Sequence, residues 1–185
     1  MTHRLLAAAL ASALLAGSAP GTEPLESGPQ VGQAVEAFEP KNVTGPFAGQ
    51  EHCLVCWTAS KPGVMILARH LSDPLVSLVK KVDAANKEQG DKLRSFVVFL
   101  DEQKGLEAAL KGLAAREGLE RTVLAIDNPK DSGAEAVPAE AEVTVVVFVN
   151  HKVKVNRAYR KGELKAADVE AILKNLPAIL EEKAK

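Results

Sequence analysis

Apolar positions along the chain fall into two periods, one of strands and one of helices. Val64-Met65-Ile66-Leu67-Ala68 is a continuous apolar run of the length of a buried strand. After Ser72-Asp73-Pro74, residues Leu75, Leu78, Val79, Val82 and Ala85 recur at three- and four-residue steps, with Lys80, Lys81, Asn86 and Lys87 off that stripe. This spacing predicts an amphipathic helix with Asp73 as N-cap, Pro74 at its first helical position and an end near Gly90. Residues 95–100 are apolar on both faces and predict a central strand. Leu106, Leu110 and Leu113 mark a second helix closing before Gly118. Residues 122–126 form a short strand stopped by Asp127-Asn128-Pro129.

The pattern continues with the most strand-like run of the chain, residues 143–149, followed by Asn150-His151 and the alternating stretch Lys152-Val153-Lys154-Val155-Asn156. Asn and His tolerate positive φ better than most residues, so the pair can turn a hairpin without glycine. Val169, Ile172, Leu173 and Leu176 define a last helix, which Pro177 should kink or end. Residues 130–142 read as a surface loop, and residues 31–49 as an edge hairpin or extended arm broken by Pro40, Gly45-Pro46 and Gly49. Strands separated by helices pair in parallel, and the closing hairpin is antiparallel. The expected fold class is therefore an α/β sandwich: a mixed central sheet with helices on both faces, ended by a β-hairpin and a helix.

Composition narrows the function. Lys and Arg (23) balance Asp and Glu (24), and aromatic residues are sparse, which argues against nucleic-acid or acidic-lipid partners. At the start, Arg4 precedes an apolar run from Leu5 to Ala16 and the small residues Gly17-Ser18-Ala19. That is the layout of a secretory signal peptide, too short for a permanent span. The division expected is a signal peptide over 1–19, a disordered lead-in over 20–30 and one domain over 31–182. Export to a periplasmic or extracellular space follows, where a disulfide can persist.

Three segments give this order a resemblance to the thioredoxin-like fold, in its redoxin branch of peroxiredoxins and exported thioredoxin-like proteins. Val31-Gly32, Ala37-Phe38 and the Thr44-Gly45 turn resemble the opening hairpin of redoxins. Residues 122–129 resemble the extra strand with its D-x-P turn. Residues 143–153, followed by Gly162-Glu163-Leu164-Lys165, resemble the final hairpin and its lead into the last helix. The likeness covers roughly residues 31–180. Two hallmarks are missing. The turn after the first central strand, Arg69 to Pro74, holds no cysteine, and the position of the family's cis-proline is Val143. The resemblance therefore argues against peroxidase chemistry by the family mechanism.

The only two cysteines, Cys53 and Cys56, lie upstream of that strand. In an extended chain, residues three apart are about 10 Å apart and point to opposite faces, whereas a disulfide needs Cα atoms within about 7 Å. The pair can bond only if residues 53–56 turn. If they do, thiol–disulfide exchange or redox sensing is open to them, with Cys53 as nucleophile, Cys56 resolving, and a protonated His52 favouring the thiolate. No helix N-terminus is expected behind the thiolate, and Trp57 offers an apolar docking face. The partner implied is a protein dithiol or disulfide, and no cofactor is called for. A second reading is a binding or scaffold domain whose disulfide is structural. A third joins His52, Cys53 and Cys56 with His70 or His151 around zinc or Cu(I).

Overall fold

Strand by strand, the alternation of side chains sorts one sheet into two apolar faces. The computed structural model describes residues 23–101, 103–128 and 136–181; the expected signal peptide and the Pro129 turn lie outside them. The elements are β1 (Lys41–Asn42), α1 (Leu54–Thr58), β2 (Gly63–Ala68), α2 (Asp73–Gln89), β3 (Arg94–Leu100), α3 (Leu106–Glu117), β4 (Thr122–Asp127), β5 (Ala141–Val149), β6 (Lys152–Arg160) and α4 (Ala166–Glu181). The sheet order is β1-β4-β3-β2-β5-β6. Strands β2, β3 and β4 are parallel, while β5 runs antiparallel to both β2 and β6. The sheet is mixed, as the pattern required, and Asn150 and His151 turn the last hairpin at φ 50° and 59°.

Val64, Ile66, Val97, Phe99, Leu124, Val145 and Val147 form one face, packed against apolar side chains of α2, α3 and α4. Burying a Leu or Val contributes about 1.5–3 kcal/mol, against a few tenths for helix propensity. Packing of Leu75, Leu78, Val79 and Val82 therefore holds α2 in place. The other face, with Met65, Leu67, Phe96, Val98, Val146 and Phe148, carries α1 and the N-terminal arm. Helices stand on both faces, but unequally: three long ones against one of five residues.

The arm corrects one expectation. Residues 23–30 are no disordered lead-in, because their polar groups find partners on the sheet. The buried Ser27 hydroxyl bonds that of Thr144 at 2.5 Å, and the Asn156 amide donates to the Ser27 and Pro29 carbonyls, both at 2.8 Å. Further on, Val35 N–H donates to His151 O, at the β6 edge, and Val43 N–H donates to Leu124 O. The arm thus crosses the sheet as an extended segment and reaches the far edge as the two-residue β1, where the chain turns back so that Glu51 bridges Lys41 antiparallel. Two helix ends also differ from expectation. Ser72, not Asp73, is the N-cap of α2, and Asp73 joins the first turn. Helix α4 continues past Pro177 to Glu181, because Leu176 and Ile179 are both buried against the core.

Candidate functional site

Cys53 and Cys56 are joined in a disulfide, with Cα atoms 5.2 Å apart. The segment turns because α1 begins there. Cys53 is its N-cap, the Cys56 N–H donates to Cys53 Sγ at 3.0 Å, and the Trp57 N–H donates to Cys53 O at 3.0 Å. Ala59, at φ 53°, stops the helix after five residues. The expectation that nothing helical stands behind the cysteines is overturned. A sulfur in the N-cap position does what Ser or Asp usually does, accepting an N–H of the first turn. The three-residue spacing of the cysteines was the sequence signal for it.

Exposure divides the pair. Cys53 is 7 % exposed and belongs to the apolar cluster with Leu54, Val55 and Phe148, whereas Cys56 is exposed. The sequence reading set Cys53 nearer the approach of a partner; the fold turns Cys56 outward instead. His52 lies beside them in the chain, but its ring stacks on Phe47, with centroids 3.6 Å apart and planes 24° from parallel. Trp57 meets Phe47 edge-on and carries the Arg94 guanidinium over its face, 4.6 Å from the ring centroid.

Sequence reasoning missed Asn42, which delivers the pair to this position. Its buried amide donates to the carbonyls of Pro40 (3.1 Å), Gln50 (3.1 Å) and His52 (3.2 Å), while its backbone exchanges bonds with Gln50 and Gly49. One side chain thereby closes the loop of residues 43–51 and fixes the strand of chain entering α1. No local pattern marks an asparagine for this, since its partners become neighbours only when the loop closes.

The ligand set of the third reading is not assembled in this structure. Among the described residues no three His, Cys, Asp or Glu side chains gather in a way that could hold a metal ion. His70 follows β2 and His151 turns the final hairpin, so the proposed ligands are distributed over the fold.

The turn where redoxins place their cysteine is occupied by a different arrangement. Arg69 donates from Nε to Ala141 O (3.1 Å) and from one Nη to Val137 O (3.0 Å) and Pro138 O (3.2 Å). Its guanidinium thus ties the end of β2 to the approach to β5. All peptide bonds among the described residues are trans, including the one before Val143. The disulfide lies toward the opposite end of β2. Trp57 touches Arg94, which pairs with Gly63 at the start of that strand, and the six residues of β2 span about 20 Å at 3.3 Å each.

Sheet order and helix placement define an α/β sandwich of the thioredoxin-like fold, which here carries a Cys-x-x-Cys disulfide. Solved structures agree. A candidate protein disulfide isomerase from Bacteroides thetaiotaomicron matches with a TM-score of 0.65 at 12 % identity, over 86 % of this chain and 95 % of that one. A candidate thiol:disulfide interchange protein DsbE from Chlorobium tepidum matches at 0.55 and 16 % identity, over 85 % and 99 %. A thiol peroxidase from Chromobacterium violaceum matches at 0.59 and 11 % identity, over 84 % and 90 %. At these identities the likeness is one of fold. No protein-family model and no curated protein matches the chain. No helix among the described residues is long and apolar enough to cross a membrane.

Proposed function

We propose that Cys53–Cys56 is a redox-active disulfide that exchanges with dithiols of a partner protein. The observation that carries this reading is the asymmetry of the pair: an exposed Cys56 and a buried Cys53 whose sulfur accepts an N–H at 3.0 Å. A partner thiolate attacks Cys56 Sγ, the S–S bond breaks, and its electron pair leaves on Cys53 Sγ. That leaving thiolate is stabilised where it forms, by the Cys56 N–H. A second partner thiolate then attacks the partner's own sulfur in the mixed disulfide and releases Cys56. The partner loses two electrons and two protons, and Cys53 and Cys56 end as thiols. In this scheme Cys56 meets the partner and Cys53 is the leaving group, the reverse of the order read from sequence. His52 acts through the loop it shares with Phe47.

A structural role is the less efficient use of this bridge. Loop-closure entropy gives a four-residue ring about 2 kcal/mol, against about 4.7 for a ring of 100 residues. We place the exchange outside the cytosol, on the leader-like pattern of residues 4–19. N-terminal sequencing of the protein recovered from an exported fraction tests that placement.

Trapping tests the chemistry. Given a partner in its disulfide form, the Cys56 thiolate of Cys53→Ser should displace one partner cysteine and hold the other as a mixed disulfide that no Cys53 thiol can resolve, and Cys56→Ser should trap about tenfold less, its remaining thiol being buried. The wild-type disulfide should equilibrate with a glutathione buffer. A bridge that stays oxidised at potentials below about −300 mV would identify a structural staple and end the exchange reading.

A further inference from the structure

Beside the disulfide, a cavity of about 230 Å³ is lined by Trp57, Arg94, Arg121, Thr44, Asn86 and Glu120, among others. Trp57 is the residue after the exposed Cys56. Arg94 lies over its indole at 4.6 Å and donates from Nη1 to Asp91 at 3.2 Å. Its Nε is buried and has no hydrogen-bond partner. A buried charged donor left unpaired is costly, which makes an acceptor from outside the chain favourable there. The acidic groups nearby are already engaged: Glu120 by Lys87 at 3.1 Å, and Asp91 by Arg94, with Arg121 at 3.6 Å. Arg94 and Arg121 thus line a small cavity and share Asp91 between them, while the Glu120 carboxylate at its rim is taken by Lys87.

We infer that this cavity receives a carboxylate of the partner, an Asp or Glu side chain flanking the cysteine that attacks Cys56. The inference rests on the exchange reading and deepens it by naming the substrate class: acidic-flanked protein thiols. A guanidinium is a planar set of donors suited to the two oxygens of a carboxylate, and the Trp57 indole keeps the plane of Arg94 oriented. The cavity holds one side chain while the partner's neighbouring cysteine stays over the exposed sulfur.

The test uses the full chain and two capped peptides, each with one cysteine, that differ only in an Asp or an Asn beside it. Reduction of the disulfide by the Asp peptide should be about tenfold faster at low salt, the effect of one charge-assisted hydrogen bond. That ratio should fall toward one in Arg94→Gln, and partway in Arg121→Gln, whose exposed side chain leaves folding unaffected. A second pair, with Ser in place of Cys, is titrated against the fluorescence of Trp57, the chain's single tryptophan. Here the Asp peptide should bind and the Asn peptide should not. Equal rates for the two cysteine peptides, with no Asp-dependent fluorescence change, would overturn the docking inference. A disulfide inert to both cysteine peptides while the Asp-Ser peptide still binds would instead overturn the exchange reading and leave a carboxylate site without redox chemistry.

Discussion

Gly63 begins β2 directly across from Phe148 on β5, and the two illustrate how one residue shapes the ground beneath the disulfide. A β-carbon on Gly63 would come within 2.7 Å of the Phe148 Cε1 and Cε2 atoms. The ring has little room to yield, because it is fully buried and meets Phe96 edge-on with centroids 6.4 Å apart. Overpacking of this kind costs about 1–3 kcal/mol. Gly63→Ala is therefore expected to lower unfolding free energy by about 2–3 kcal/mol in urea titration. A loss below about 0.5 kcal/mol would mean that Phe148 moves aside at little cost, against the packing described. Because Phe148 belongs to the apolar cluster that holds Cys53 and Leu54, the same variant should also make the disulfide easier to reduce.

At the scale of elements, Asp83 joins α2 to the segment that starts β4. Its side chain is 3 % exposed and accepts the backbone N–H groups of Arg121 (2.8 Å), Thr122 (2.7 Å) and Glu120 (3.2 Å), with Lys87 at 3.3 Å. Burial alone would raise its pKa; the N–H donors of Thr122, Arg121 and Glu120, joined by Lys87, outweigh it and hold the carboxyl below its ordinary 3.8. A folded-state pKa below the unfolded one means stability that is present above pH 3.8 and is lost as pH falls through the folded value. Asp83→Asn should cost about 1–3 kcal/mol at pH 7, since it replaces an acceptor with a donor facing other donors. The gap between wild type and variant should begin to narrow below about pH 4, where the unfolded-state carboxyl protonates, and close as pH falls through the lower folded value. A gap that stays constant down to pH 2 in denaturant titrations would show that the charge of Asp83 is not what those N–H groups recognise.

The same element shows what a sequence can and cannot announce. The stripe of Leu75, Leu78, Val79 and Val82 is local, so the helix it makes was legible, as were the hydrophobic runs of β2, β3, β5 and the Asn150-His151 turn. Asp83 on that helix has partners 37 to 39 residues away, and Arg69 has partners 68 to 72 residues away. Nothing near them in the chain foretells those bonds. The five residues of α1 are too few to show a period, and so the sequence could state only the condition for a disulfide, that the tetrapeptide turn. The arm escaped for a related reason. Its polar, Pro- and Gly-containing stretch resembles disordered chain until Thr144 and Asn156 supply partners from distant strands.

For the whole molecule, the decisive arrangement is that the disulfide and the three long helices occupy opposite faces of one sheet. Opening the bridge releases a ring of four residues on the face away from the cluster under α2, α3 and α4, while buried Leu54 and Val55 still anchor α1. A four-residue ring contributes about 2 kcal/mol through chain entropy, and about 1 kcal/mol moves the melting temperature by 2–4 °C in a domain of this size. Reduction is therefore expected to lower the midpoint by about 4–8 °C while the transition remains a single cooperative one. Thermal melts followed by circular dichroism, with and without excess dithiothreitol, measure this directly. The magnitude bears on chemistry as well as stability. The difference in folding free energy between disulfide and dithiol forms is, by linkage, part of the free energy of reducing the bridge, and 30 mV of potential corresponds to about 1.4 kcal/mol. A small drop in stability leaves the bridge within reach of biological thiols. A loss of cooperative folding on reduction would mean that the bridge holds the arm and sheet face together, and a disulfide of that kind could not be cycled by a partner without unfolding the protein that carries it.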